Sequence, residues 1–186
     1  IVIGMIFCSN SIFATEHKVI SYIPDSLKTI VGDTSQIRIY KTTAYPNGNK
    51  KDEGYVVNGE WDGTRIFYDL NGFLSSQMEY KMGILEGIGC YYFPNGIVKQ
   101  ELNYIANKKD GVARSYYESG ALMSTKTYAN DKLNGLCCNY FLNGNIKECR
   151  TYIADSLTGN FIEYFDEGQI KMEGIYLNGI YDGTII

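Results

Sequence analysis

Acidic side chains are the first candidates for chemistry in this sequence, because paired carboxylates perform general acid–base catalysis in glycosidases. The candidates lie near the C-terminal end: Glu163, Asp166, Glu167 and Glu173. The hairpin spacing described below sets Glu163 opposite Lys171, and such a cross-strand charge pair is worth only ~0.2–1 kcal/mol. Asp166 and Glu167 fall in a turn, where acidic residues are common. The pattern predicts no catalytic residue and therefore a protein that is not an enzyme.

Metal and nucleophile chemistry is equally poorly supported by the residue types. His17 is the single histidine, which excludes a histidine-rich metal site and disfavours a Ser–His or Cys–His catalytic pair. The five cysteines, at positions 8, 90, 137, 138 and 149, form no Cys-x-x-Cys pair, so a zinc site is not indicated. No glycine-rich loop is followed by Lys-Ser or Lys-Thr in phosphate-loop spacing. We expect neither a metal nor a cofactor.

The charge balance excludes a nucleic-acid coat. The 186 residues carry 17 Lys and Arg against 21 Asp and Glu, for a net charge of −4, whereas phosphate neutralisation requires a basic face. The 17 tyrosines and 20 glycines, with only 3 prolines, favour a β-rich chain punctuated by turns.

The glycines and tyrosines recur with a strict period of 24 residues, which is typical of a stacked array of one supersecondary unit. The first glycine column is Gly63, Gly87, Gly111, Gly135, Gly159 and Gly183, and the second is Gly48, Gly72, Gly96, Gly120, Gly144 and Gly168. The tyrosine columns are Tyr68, Tyr92, Tyr116, Tyr140 and Tyr164, and Tyr80, Tyr104, Tyr128, Tyr152 and Tyr176.

Each unit divides at its second glycine into two short aromatic or β-branched segments, which predicts a β-hairpin. Pro94-Asn95-Gly96 favours a three-residue loop with glycine in the left-handed region. That loop, closed by Phe93 and Ile97, sets Cys90 opposite Gln100. The expected fold is all-β, an elongated single antiparallel meander of stacked 24-residue hairpins. The predicted apolar face carries Ile88, Cys90, Tyr92, Val98, Leu102 and Tyr104, and the predicted wet face carries Lys99, Glu101, Lys147, Lys171 and Glu173.

The same register makes Cys137 and Cys149 a disulfide candidate, because it sets them directly opposite each other on the wet face. Cys90 and Cys138 occupy one column, four strand steps or roughly 19 Å apart, which is beyond disulfide reach. We expect these two to be small buried hydrophobes.

A row of aromatic side chains supplies the predicted binding site. Each member follows the first tyrosine column by one residue, and successive members should lie ~10 Å apart on the wetter face. Exposed aromatic rows can bind a protein, a peptide or a glycan by stacking and apolar contact. The alternative is that the rings cover lysine stems and neighbouring units. The row consists of Phe93, Tyr117, Phe141 and Phe165.

The repeat resembles the MORN repeat, and more closely its bacterial variant, whose unit reads roughly Gly-x-x-x-x-Tyr-Tyr-x-x-Gly followed by Tyr-x-x-Gly-x-x-x-Gly. The best units are GIGCYYFPNGIVKQELNYIANKKDG (87–111) and GLCCNYFLNGNIKECRTYIADSLTG (135–159). The resemblance extends over 39–186, with six hairpin units and a first unit degraded at Ile39 and Ala44. It implies a protein-interaction or scaffold role, since the family includes membrane-linked eukaryotic members and bacterial members described as antitoxins or immunity proteins.

The remaining residues predict an exported protein. Residues 1–14 are uncharged and resemble a signal-peptide core with cleavage after Ala14, and 15–38 is expected to cap the open edge of the array. The uncharged stretch is too short to span a bilayer, and a buried first strand or a lipidated Cys8 is the alternative. We expect a periplasmic, cell-surface or secreted location.

Three functions remain open at this point. A non-enzymatic scaffold that binds a protein through the exposed sheet face is favoured. An antitoxin or immunity protein that neutralises a toxin is the first alternative, and a carbohydrate-binding or carbohydrate-active protein is the second.

Overall fold

The computed structural model describes residues 38–177 and 179–182, so the predicted signal and the cap up to residue 37 lie outside the described residues. Within that part there are sixteen strands in one sheet and no helix. The strands are β1 (Arg38–Ala44), β2 (Lys50–Val57), β3 (Glu60–Tyr68), β4 (Leu74–Lys81), β5 (Ile84–Leu85), β6 (Gly87–Tyr92), β7 (Val98–Ile105), β8 (Lys108–Lys109), β9 (Gly111–Tyr116), β10 (Leu122–Ala129), β11 (Lys132–Leu133), β12 (Gly135–Tyr140), β13 (Ile146–Ile153), β14 (Ser156–Tyr164), β15 (Ile170–Leu177) and β16 (Ile180–Asp182).

The sheet is an antiparallel meander in which neighbours in sequence are neighbours in space. Each of the two-residue strands β5, β8 and β11 pairs with the strand that precedes it in the chain. The strand that follows, which is β6, β9 or β12, then pairs with that same preceding strand further along its length. The predicted fold class, a single antiparallel sheet of stacked hairpins, is confirmed.

The hairpin loops have the predicted three residues. The Phe93 N–H donates to the Ile97 carbonyl at 2.8 Å, and the Gly96 N–H donates back to the Phe93 carbonyl at 2.9 Å. Gly96, Gly120 and Gly144 have φ of 82°, 87° and 90°, a region that a side chain with a β-carbon disfavours. The prediction of positive φ at these glycines is confirmed.

A β-bulge directly after each loop shifts the register by one residue. Tyr92 pairs with Val98 as predicted, but Tyr91 pairs with Gln100, which leaves Lys99 as the extra residue. The predicted pairing of Cys90 with Gln100 is therefore wrong. The extra residues keep the 24-residue period and are Lys51, Ser75, Lys99, Met123, Lys147 and Lys171.

The bulge also exchanges the predicted faces, because a shift of one residue turns a strand's side chains over. Gly89 lies opposite Leu102, so Tyr91 rather than Tyr92 shares the side of Leu102 and Tyr104. The assignment of Ile88, Cys90 and Tyr92 to the side of Leu102 and Tyr104 is wrong. We call the side with Met78, Leu102 and Tyr104 face A, and the side with Glu101, Ile105 and Tyr116 face B.

The buried core lies on face A, where Met78, Leu102, Tyr104 and Ala113 form one cluster. Gly89 makes room for it, since a Cβ there would come within 2.6 Å of Met78 Sδ and 2.9 Å of Tyr104 Cε2. The absence of a side chain at Gly89 thus allows these two to close over the sheet.

The opposite ends of the hairpins are two-residue turns with positive φ at both residues, the type I′ geometry that suits the strand twist. Ala106 and Asn107 have φ of 50° and 67°. Asn107 also links units, since its N–H donates to the Leu85 carbonyl at 3.0 Å and its Oδ1 accepts the Leu85 N–H at 2.8 Å. Asp131 and Asp155 repeat both bonds, to residues 109 and 133.

Candidate functional site

Within the described residues, a disulfide joins a different pair from the one predicted. Cys138 lies opposite Cys149, with Sγ–Sγ 2.01 Å and Cα–Cα 4.1 Å. Cys137 has a free thiol, lies on face A and pairs with Arg150. The predicted Cys137–Cys149 bond is wrong because the bulge at Lys147 moves the register by one residue. The expectation that Cys90 and Cys138 are free buried hydrophobes is wrong as well, because Cys138 is bonded to Cys149 and Cys90 is also disulfide-bonded.

The predicted aromatic row lies at the loop end of the strands, on face A. Alternation along β6 places Phe93 on the side of Tyr91 and Gly89, so the row shares its face with the second tyrosine column. The prediction that it lies on the opposite face from that column is wrong. The row's role in binding stays a prediction.

Contacts within the sheet hold most of these rings. The ammonium of Lys99 lies 5.7 Å from the Phe93 ring centroid, and that of Lys147 lies 5.8 Å from the Phe141 centroid. The Tyr117 hydroxyl donates to the carbonyl of Tyr140 in the next unit at 2.9 Å. Phe165 is the most open member, at 49% exposed. These contacts favour the alternative that the rings cover lysine stems and neighbouring units.

In the first units, a concavity of about 390 Å³ lined by aromatic side chains lies beside the position that corresponds to Phe93 in the repeat. Its lining includes Tyr45, Phe67, Tyr80 and Tyr91. Tyr45 occupies the repeat position of Phe93, and its hydroxyl donates to the Tyr68 carbonyl at 2.9 Å, as Tyr117 does further along. Sequence reasoning missed Tyr45, although its spacing of two periods from Phe93 was the available signal.

Face B carries a surface that the sequence interpretation also missed. Eight aliphatic side chains near the two-residue turns are 43–74% exposed. We call this surface the aliphatic stripe: Ile84, Ile105, Val112, Leu136, Ile153, Ile175, Leu177 and Ile180. Ile105, Ile153 and Leu177 stand one residue after the second tyrosine column, so the 24-residue spacing was the signal that could have found them.

Lysines border the aliphatic stripe on the same face. Lys81 pairs with Ile84, and Lys108 pairs with Ile105. Lys132 takes the equivalent place in the next unit. All three are exposed, so the stripe presents apolar surface beside positive charge.

Nearer the loops, face B carries a row of tyrosine hydroxyls bonded to the preceding unit. Tyr68 donates to Glu53 at 2.5 Å and Tyr116 to Glu101 at 3.0 Å. Burial, followed by the hydrogen bond to Glu101, raises the pKa of Tyr116 to about 12. Burial raises the pKa of Glu53, but hydrogen bonds from Lys50, Tyr68 and Tyr40 outweigh it and leave that pKa below its usual value. The row therefore stabilises the stacking of units.

The acidic residues considered for catalysis have ordinary structural partners. Glu163 pairs with Met172 and not with Lys171 as predicted, although its Oε1 lies 2.6 Å from Lys171 Nζ. Asp166 lies in a loop, where its carbonyl accepts from the amides of Asn143 and Asn145 at 3.2 and 2.8 Å. The described residues contain no group of three His, Cys, Asp or Glu side chains that could hold a metal ion. The same part of the chain has no helix long and apolar enough to cross a membrane.

Four tandem segments match the MORN repeat variant, at residues 85–106, 109–130, 133–154 and 157–178. The chain belongs to this repeat family. Each of the first three MORN matches begins two residues after one two-residue turn and ends at the first residue of the next, so it contains one complete hairpin with its bulge. The hydrogen bonds of Asn107, Asp131 and Asp155 therefore tie the first residue of a MORN match to the turn residue that follows its last residue.

The other comparisons add little to the MORN assignment. No curated protein matches the sequence. Among solved structures, the crystal structure of a GtfA/B complex bound to UDP and GlcNAc aligns with 74% of this chain at 10% identity and a TM-score of 0.30. The alignment spans 23% of that chain. A likeness at this level carries no argument about fold or function.

Proposed function

We propose that this MORN-repeat chain is a non-enzymatic protein-interaction module that binds its partner through the aliphatic stripe on face B. The observation that supports this most is the exposure of eight aliphatic side chains on one face of a single sheet. Exposed apolar side chains gathered on one face are a feature of interaction sites. Val57, at the repeat position of Ile105 and Ile153, is only 3% exposed, so a side chain at this position can be covered completely.

The partner should offer an apolar surface flanked by acidic residues. Lys81, Lys108 and Lys132 border the stripe, and charges at the rim of an interface steer association and fix the register. The strongest contacts are expected to come from Ile105 and Ile153, which lie on the same face two units apart. A protein segment with aliphatic anchors and acidic flanks would meet both features.

The decisive experiment measures affinity after a partner has been isolated by pull-down. Ile105→Ser combined with Ile153→Ser should weaken the dissociation constant at least tenfold, about 1.4 kcal/mol. Leu142→Ser is the matched control, since Leu142 is 63% exposed in a loop outside the stripe. If the double variant bound the partner as tightly as Leu142→Ser does, the proposal would be contradicted. Co-sedimentation of the wild type with anionic vesicles, lost in the double variant, would assign the stripe to a lipid surface instead and also contradict it.

We also propose that the protein is exported. The Cys138–Cys149 disulfide supports this, because disulfides persist in oxidising compartments and are rare in the cytosol. The uncharged residues 1–14 support it independently. The antitoxin and carbohydrate alternatives gain no support from the described residues or from the comparisons.

A further inference from the structure

Two parallel rows of aliphatic side chains run along face B within the aliphatic stripe. Ile105 and Ile153, with the half-buried Ala129 between them, form the row beside the two-residue turns, on β7, β13 and β10. Val112 and Leu136 form the second row, on β9 and β12. The residues they pair with lie two positions before Ala129 and Ile153, so the second row is ~7 Å nearer the loops. Because the strand order is β7-β9-β10-β12-β13, the two rows are staggered by one strand.

The spacing of these rows matches an α-helix and not an extended strand. Adjacent strands lie ~4.8 Å apart, so each row presents one side chain every ~9.6 Å and the two rows together present one every ~4.8 Å. With a rise of ~1.5 Å per residue, helix residues seven apart are separated by ~10.5 Å and residues three apart by ~4.5 Å, as at the a and d positions of a heptad. Side chains on one face of an extended strand repeat every ~6.7 Å, which matches neither distance.

Lysines repeat with the same spacing beside the row at the turns. Lys108 pairs with Ile105 and Lys132 pairs with Ala129, so the two lysines stand one unit apart. Neither lysine forms an ion pair within the part of the chain that the structure describes. An acidic residue that occurred once per heptad beside the apolar positions would lie near each lysine in turn, as the charged e and g positions flank a and d.

We propose that the partner segment on the aliphatic stripe is an amphipathic α-helix that lies across the strands, with aliphatic residues in an a/d heptad pattern and one acidic residue per heptad. This proposal rests on the proposed binding role of the stripe and adds the conformation of the partner. Ile105 and Ile153 are four strand steps apart, ~19 Å, which about 13 residues of helix span. Because the strands of a sheet twist relative to one another, a straight helix follows the rows over only a few strands. The contact therefore involves about two heptads.

Photo-crosslinking at several sites measures the conformation of the partner in the complex isolated by pull-down. Benzoylphenylalanine replaces Ile105, Ala129 or Ile153 in three separate proteins, and the crosslinked partner residues are mapped by mass spectrometry. A helix predicts that each step of ~9.6 Å between sites moves the crosslink by about six or seven residues along the partner sequence. The same replacement at Leu142, in a loop outside the stripe, is the matched control and should give no crosslink.

The other outcomes separate a failure of the helix from a failure of the stripe. A shift of about three residues per step would indicate an extended strand, which overturns the helix but leaves the binding role of the stripe intact. Crosslinks in no consistent order along the partner would overturn the helix in the same way. No crosslink from any of the three sites would overturn the binding role itself, and the helix with it.

Two synthetic peptides of identical composition give a test that needs no natural partner. One carries leucine at a and d and glutamate beside them over three heptads, and the other carries the same residues with leucine at every second position. Fluorescence anisotropy should show that the full chain binds the heptad peptide at least tenfold more tightly. Lys108→Gln should weaken that binding about twofold, whereas Lys126→Gln, which removes an exposed lysine on face A, should not change it. Equal affinities for the two peptides would contradict the helix.

Discussion

Cys138 lies directly opposite Cys149, while its neighbour Cys137 lies on the other face of the sheet with a free thiol. This arrangement depends on the bulge at Lys147. Peptide mapping of the oxidised protein should therefore find the 138–149 linkage and an alkylatable Cys137. A 137–149 linkage would contradict the bulged register.

Breaking that disulfide should lower the free energy of unfolding by about 3 kcal/mol, the chain-entropy value for a loop of about a dozen residues. Cys149→Ser removes the bond, and urea denaturation measures the change. Cys137→Ser is the matched control and should have little effect. If both variants lost the same stability, the disulfide could not be the source.

Gly120 should not tolerate a β-branched side chain. Its φ is 87°, and a Cβ there has only Ile97 nearby at 3.9 Å, so the cost comes from the backbone rather than from a clash. Gly120→Val should lower the free energy of unfolding by about 1–3 kcal/mol. Glu118→Val in the same loop has no positive φ to satisfy and should cost much less. If Gly120→Val melted at as high a temperature as Glu118→Val, the loop would differ from the one described.

The tyrosine row predicts a loss of stability in alkali. The pKa of Tyr116 is about 12 in the folded protein, against about 10 for an unfolded tyrosine. The folded state therefore holds this proton more tightly, and its contribution is complete below pH 10 and lost as the pH rises to 12. The urea midpoint should fall between pH 9 and pH 11.5, with a smaller fall in Tyr116→Phe. An equal fall in both proteins would show that Tyr116 is not responsible.

The role of the aromatic row can be distinguished from that of the aliphatic stripe by measuring both the melting temperature and the partner binding of variants in the row. Tyr117 bonds to the next unit and Phe141 lies under Lys147, so Tyr117→Ala and Phe141→Ala should lower the melting temperature more than Lys99→Ala. Thermal denaturation measures this. Retained melting temperatures combined with lost partner binding would instead make the row the binding site.

The overall fold was predictable because its determinants are local and repeated. The Pro94-Asn95-Gly96 loop and the glycine columns specify hairpins of fixed length, and the structure confirms the loop closed by Phe93 and Ile97. Stacking then follows, since each hairpin can cover its apolar side chains only against another unit.

The faces and the binding surface were not predictable from the same pattern. The bulge residue is Lys99 in one unit and Met123 in another, so no residue type marks it, and the loop alone is compatible with either register. Because one extra residue exchanges the two faces, the disulfide partner, the side of the aromatic row and the aliphatic stripe were all missed together. Isoleucine is a residue type that is common in protein cores, and only the structure shows that Ile105 and Ile153 are exposed.

The most direct test of the central claim is site-specific photo-crosslinking in the isolated complex. A benzoylphenylalanine is placed at Ile153, in the aliphatic stripe, or at Phe165, the most exposed ring of the aromatic row on face A. Binding through face B predicts a crosslink to the partner from position 153 and none from position 165. A crosslink from position 165 and none from 153 would contradict it.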